Sequence, residues 1–263
     1  MLKTTSAQSY VFHGTWEDGD RSAGGTLGQS TTGLACEPWC MQVTTYKARL
    51  GTKAIESVVN SDDRTCGGST RCESLVVRQD SSEKNMFYAA SIYPVNFVPD
   101  QRNGLCMQWY VKDAYPVLGL WIKADPTNNY NFLMLVRQFD TINAGGLSAR
   151  NYSTILSKIP SDQWTDLAFE INWQNNYTGY IKVYINDSLY TTINGPNMKA
   201  HYDPVHPKWP TYRFGWYWFG AHNKKTPSMQ KRILYDEVKV GNSDMIIDSF
   251  LLPPPITAPA KED

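Results

Sequence analysis

Short apolar runs, each cut off by turn residues, constrain this chain most. Eleven segments of six to nine residues are rich in β-branched and aromatic side chains: 10–16, 41–47, 73–78, 86–93, 105–111, 117–122, 131–138, 165–173, 180–186, 212–219 and 232–240. Gly, Pro, Asn and Asp punctuate them at short spacing, which is how strands and their turns read. No long stretch has helical periodicity, and no repeat of 20–50 residues is visible. YIKVYIN and LYTTI read as a hairpin around Asn186-Asp187-Ser188. The runs predict an all-β fold: a jelly-roll sandwich, concanavalin-like, with two curved antiparallel sheets and a concave cleft. With 263 residues, such a sandwich can be one domain with a substantial core. We assign residues 1–251 to that domain and 252–263, LPPPITAPAKED, to a Pro-rich tail. Residues 19–35, rich in Gly, Ser and Thr, and the Pro-punctuated 194–211 read as long loops.

Aromatics form 13% of the chain, with 16 Tyr and 9 Trp, and most are assigned to the sandwich core. Twenty-five basic residues balance 25 acidic ones. That balance gives no basic footprint for nucleic acid and does not suit a densely sulfated polymer. A weakly charged polymer held by a local cluster of cations fits it. Cys36 and Cys40 flank one short turn, Cys66 and Cys72 another. These close pairs suit two disulfides, with Cys106 left as a buried thiol. Zinc is disfavoured because no second ligand pair has the usual spacing. Sequons at Asn151, Asn176 and Asn186 fit a secreted, glycosylated protein. The opening MLKTTSAQSY has no apolar signal core, so we expect a mature form, an expressed fragment or another export route. No run is long enough to span a membrane.

Strand alternation sorts two segments by face. In CMQWYV, Met107, Trp109 and Val111 form one face; Cys106, Gln108 and Tyr110 form the other. In YRFGWYWF, Arg213, Gly215 and Tyr217 oppose Tyr212, Phe214, Trp216 and Trp218. A small, polar face over an aromatic one is the pattern of a cleft floor above a core. Arg71 and Glu73 share a third face and are placed to pair with each other.

WTDLAFEINWQNNYTGYIKVYINDSLY, residues 164–190, resembles a block of the jelly-roll polysaccharide lyases related to heparin lyase I and glucuronan lyase. TWEDGD, TRCESLVVR, CMQWYV, YPVLGLWI, YRFGWY and ILYDEVKVG resemble further strands of that family in the same order, from about residue 15 to 241. The resemblance implies an extracellular enzyme that cuts an acidic polysaccharide by β-elimination. A base takes the C5 proton of a uronic acid and the C4–O bond breaks. The sugar carboxylate must be neutralised by donors preset where charge develops, and base and acid must lie within hydrogen-bond reach. Gln108 and Arg71 are the expected carboxylate donors. Tyr217 and Tyr110 are the candidate base and acid. A free phenol titrates near ~10 and needs positive charge nearby to ionise at neutral pH, which Arg71 or Arg213 could supply. This chain has Tyr110 where many relatives carry His, so the resemblance does not assign the base.

Other candidates are less specific. His201, His206 and His222 lie in or beside loops and could close over the cleft as base. Arg213, His206, Lys208, His222 and Lys224 are expected to bind substrate. His13 reads as structural. The resemblance also implies a structural Ca²⁺ held near Glu17 and Asp236, whose carboxylates are hard oxygen ligands; no organic cofactor is implied. The competing function is a non-catalytic glycan-binding or cell-surface module on the same sandwich. A glycoside hydrolase would need paired carboxylates across one bond, and no strand has the E-x-D-x-x-E pattern. Neither a G-x-S-x-G elbow nor a Walker loop occurs.

Overall fold

The computed structural model describes residues 11–19, 40–60, 70–78, 84–97, 103–111, 116–125, 127–143, 146–174, 176–198, 210–218 and 230–253. Fourteen strands follow in chain order: β1 (Phe12–Gly14), β2 (Met41–Thr44), β3 (Ala54–Asn60), β4 (Arg71–Arg78), β5 (Asn85–Val95), β6 (Gly104–Tyr110), β7 (Pro116–Asp125), β8 (Tyr130–Asn143), β9 (Gly146–Ile159), β10 (Thr165–Asn172), β11 (Tyr180–Ile185), β12 (Ser188–Asn194), β13 (Thr211–Trp218) and β14 (Gln230–Gly241). Among the described residues the only helical element is a 3₁₀ turn, Ile247–Ser249.

The strands form two antiparallel sheets. One runs β12-β11-β10-β5-β14-β3-β2, with β1 paired to β14; the other runs β4-β13-β6-β7-β8-β9. The expected jelly-roll sandwich is therefore present. Between the sheets lie Trp16, Trp109, Trp173, Trp216, Trp218, Tyr88, Tyr212, Tyr235, Phe169 and Phe214, all fully buried. Each such side chain contributes about 1.5–3 kcal/mol through burial. Their rings meet edge-on or tilted, Tyr88 against Trp109 at 5.3 Å and Phe214 against Tyr235 at 5.0 Å. The hairpin at Asn186-Asp187 has both residues at positive φ, 46° and 69°, as a tight two-residue turn demands.

Three readings need correction. Strands β3 and β9 are absent from both the eleven runs and the hairpin reading that supplied β12. β9 is an edge strand carrying Ser148, Ser153, Thr154 and Ser157, so its polar content hides the alternation. Cys106 does not share a face with Gln108. The register shifts between Leu105 and Met107, which places Cys106 in the core and Leu105 on the opposite face. Cys72 pairs with Cys40, 32 residues away, with Cα atoms 5.8 Å apart, and not with its neighbour in sequence. Cys40 opens onto β2 of one sheet and Cys72 lies in β4 of the other, so the bridge ties the two sheets at one edge. Local spacing could not reveal a partner brought close only by stacking of the sheets. Cys36 and Cys66 lie outside the described residues. Cys106 is the buried free thiol that was expected.

A second inter-sheet tie lies nearby. The Ser57 hydroxyl on β3 donates to the Cys72 carbonyl at 2.9 Å and accepts the Trp216 N–H at 3.1 Å. At the C-terminal end, Phe250 stacks on Phe87 at 5.4 Å and Leu252 is buried. The body of the fold thus extends to the start of the Pro-rich tail, whose residues 254–263 lie outside the described residues.

Candidate active site

The face of β4, β13 and β6 turned away from the core carries the polar residues singled out by alternation. Register puts Tyr217 opposite Arg71 and Gly215 opposite Glu73. It also puts Arg213 opposite Gln108 and Thr211 opposite Tyr110. One face of three adjacent strands therefore gathers Arg71, Glu73, Gln108, Tyr110, Arg213 and Tyr217.

Gly215 organises this group. β4 and β6 flank β13, so their backbones stand roughly 9–10 Å apart. The Glu73 and Gln108 side chains meet across that gap, Gln108 Nε2 donating to Glu73 Oε1, directly above the strand position where Gly215 has no side chain. Gly215 has φ +124°, and a Cβ built there would lie 2.2 Å from the Cys72 carbonyl oxygen. The bend also frees the Trp216 N–H for Ser57. Glycine is required both for backbone angle and for space.

The Glu73–Gln108 pair is flanked by two cation–phenol pairs. The Arg213 guanidinium lies 4.4 Å from the centre of the Tyr110 ring, and that of Arg71 lies 5.4 Å from the Tyr217 ring. Both distances are within cation–π range. Arg71 Nη1 stands 3.8 Å from Glu73 Oε2, so the expected Arg71–Glu73 pairing exists but is long. Glu73 and Gln108 are each 2% exposed. Gln108 is thus the buried floor, and the half-exposed Arg71, Arg213, Tyr110 and Tyr217 are the rim.

The electrostatics are unbalanced in an informative way. Burial raises the Glu73 pKa; Arg213, Arg71 and the Gln108 hydrogen bond oppose it. Burial lowers that of Arg213, opposed by Glu73. Among the described residues, Glu73 Oε2 and Arg213 Nε are buried with no hydrogen-bond partner. Core indoles such as those of Trp16 and Trp109 share this state; what sets the pair apart is opposite charge on one half-exposed face, where a ligand can supply the missing partner. Two guanidinium groups and one carboxylate leave this cluster with one net positive charge, suited to a single bound anion.

The remaining candidates fall elsewhere. His201, His206, Lys208, His222 and Lys224 lie outside the described residues. His13 is on β1 and pairs with Glu237 at 2.9 Å, remote in register from the cluster and structural as expected. Glu17 and Asp236 belong to the other sheet and its adjoining turn. Glu17 accepts the Thr52 and Lys53 N–H groups at 3.0 and 2.8 Å. Asp236 accepts those of Arg49, Leu50 and Glu237 at 2.8, 3.2 and 2.8 Å. Both carboxylates thus grip the 49–53 turn through backbone donors. Among the described residues no group of three or more His, Cys, Asp or Glu could hold a metal.

Of the sequons, Asn176 is exposed and accepts the Thr178 N–H at 2.9 Å. Asn186 accepts the Asp166 N–H at 3.0 Å. Asn151 lies within β9, opposite Gln138. Two features of the site escaped the alternation argument. Glu73 was read only as a partner for Arg71, although its place two residues on in R-C-E puts it on the same face. Trp121, half-exposed, lies one strand beyond Leu105 in the Tyr217 row; its alternation with Gly119 was the available signal.

A family model described as polysaccharide lyase matches residues 14–239. A comparison with curated proteins found no match. Among solved structures, an endo-β-1,4-glucuronan lyase from the fungus Trichoderma reesei is similar with a TM-score of 0.63 and 17% identity, over 83% of this chain and 90% of that one. The alginate lyase Aly36B gives 0.60 and 9%, over 88% and 96%. An alginate lyase from Klebsiella pneumoniae gives 0.52 and 7%, over 74% and 84%. At such identities the likeness is one of fold.

Proposed function

The chain belongs to the polysaccharide lyase family, and from that premise we propose that it cleaves a nonsulfated polyuronate, such as glucuronan or alginate, by β-elimination on the face of β4, β13 and β6. The observation that carries this reading is the pair of guanidinium groups set on either side of the Glu73–Gln108 bridge. A uronate carboxylate resting between Arg71 and Arg213 supplies the acceptor for the Arg213 Nε donor. Neutralised there, it makes the C5 proton acidic enough to remove. The phenolate oxygen of Tyr217 or Tyr110 takes that proton and becomes a phenol. The C5 electron pair becomes the C4=C5 double bond as C4–O breaks, and the leaving oxygen gains a proton from a phenol. Each Tyr has an Arg guanidinium over its ring; we assign Tyr217 as the base and Tyr110 as the acid.

The net charge of the cluster supports a polymer with one carboxylate per sugar over a densely sulfated one. The Cys40–Cys72 bridge supports secretion, since disulfides persist in oxidising compartments. The test is incubation with a panel of polyuronates, following the ultraviolet absorbance of the new double bond conjugated to its carboxyl group. Elimination creates that chromophore; hydrolysis and plain binding do not. The expected result is a signal with at least one nonsulfated polyuronate, lost in Tyr217→Phe. A flat trace across the panel, with measurable glycan binding, would assign the fold to a binding module instead.

A further inference from the structure

The role of Glu73 remains. Glu73 is as buried as Gln108, lies beneath the half-exposed rim, and as an acceptor has nothing to donate to a sugar carboxylate. As a device for stability it is a poor choice. A buried carboxylate is expensive unless its oxygens are fully bonded, and Oε2 has no hydrogen-bond donor among the described residues. What the carboxylate does have is direction. It accepts from Gln108 across Gly215, and both arginines act on it electrostatically.

We propose that Glu73 is a positioning residue for elimination: it holds the Gln108 amide so that its remaining donor, set between Arg71 and Arg213, is aimed at one uronate carboxylate. The inference rests on the lyase reading given above. A carboxylate can only accept, so it forces Gln108 to turn its NH₂ side inward. One amide hydrogen is then fixed on Glu73, and the other points along the trough. Without that acceptor, the amide is free to flip and present its oxygen to the substrate's negative charge. Glu73 also cancels one of the two arginine charges. The floor is left able to bind a single carboxylate without gripping the polymer too strongly in the ground state, which would lower KM without raising kcat.

The test compares Glu73→Gln, Gln108→Ala and the double variant on a polyuronate that the wild type cleaves, with one readout independent of turnover. Glu73→Gln is expected to lower kcat by about tenfold or more, in the range of a lost transition-state donor, while KM holds or falls because the trough gains positive charge. The double variant is expected to match Gln108→Ala within about twofold, because Glu73 acts through Gln108. Unchanged kcat in Glu73→Gln, or losses that multiply in full, would overturn the proposal. The independent readout is the Gln108 side-chain NH₂ pair by NMR. One hydrogen is expected to exchange slowly in the wild type and rapidly in Glu73→Gln; identical behaviour in both would refute the positioning role. If the wild type makes no unsaturated product from any polyuronate, the substrate reading fails by itself and the NMR comparison decides the role of Glu73. Should Glu73→Gln not fold, Glu73→Asp, which keeps the charge and shortens the reach, takes its place with the same expectations for the amide and a smaller loss of kcat.

Discussion

Both sheets bury carboxylates, and they treat them in opposite ways. On the larger sheet, Asp166 receives the Arg49 fork, Nε to Oδ1 at 3.0 Å and Nη2 to Oδ2 at 2.8 Å, with the Ser91 hydroxyl at 2.6 Å. Asp236 receives three backbone N–H groups. Every oxygen of these two groups has a donor. On the smaller sheet, Glu73 has one amide hydrogen and an arginine nitrogen at 3.8 Å. A fully bonded buried charge fixes a turn or a strand end. An under-bonded one beside Arg213, whose Nε also lacks a partner among the described residues, fits the ligand site proposed above. The contrast separates structural acids from functional ones more sharply than burial does, since all three are buried.

The largest expected effect comes from Gly215→Ala. The new methyl would meet the Cys72 carbonyl at 2.2 Å at a φ of +124°, on the strand that carries both Arg213 and Tyr217. A cost of about 4 kcal/mol or more is expected, with product formation lost even below the melting temperature; thermal denaturation beside the absorbance assay checks both. Asp166→Ala tests the opposite side of the comparison. It strands the Arg49 guanidinium, whose side chain is 4% exposed, at a cost of about 3–5 kcal/mol. Its kcat per folded molecule is expected to stay at the wild-type value. A loss of kcat there would blur the division between the two sheets.

The smallest effect is a pH dependence. Burial pushes the Asp236 carboxyl up to about 7, against its three N–H donors. A folded-state value above the ordinary one means that the stability it contributes is full below about pH 4 and is lost as pH rises through about 7. Glu237, whose pKa is lowered with His13 and Lys239 as its main stabilising partners, contributes in the opposite sense and fades in acid. The melting temperature is therefore expected to decline from about pH 5 to pH 8, and Asp236→Asn is expected to flatten that slope. A wild-type profile already flat across this window would contradict the assignment.

The fold was legible because alternation survives in strands that bury one face. YRFGWYWF placed Arg213, Gly215 and Tyr217 correctly, since its aromatic face belongs to the core without exception. CMQWYV misled at one residue, because the register shift after Leu105 turns Cys106 inward and no local residue signals it. The disulfide was illegible for a related reason: Cys40 and Cys72 are neighbours only once the sheets stack. The site was legible as a list of side chains and not as a hierarchy. Nothing in the sequence says that Gln108 lies beneath the rim, or that Glu73 reaches it over a glycine one strand away. The Ca²⁺ expectation rested on resemblance and not on any ligand spacing in the sequence.

One measurement addresses the trough directly: a crystal structure of Tyr217→Phe soaked with a short oligouronate. The account expects a sugar carboxylate within hydrogen-bond distance of Arg213 or Arg71, above the Glu73–Gln108 bridge, with C5 facing position 217 or Tyr110. An oligosaccharide bound only on the larger sheet, or one on the smaller sheet with its carboxylate turned to solvent, would contradict it.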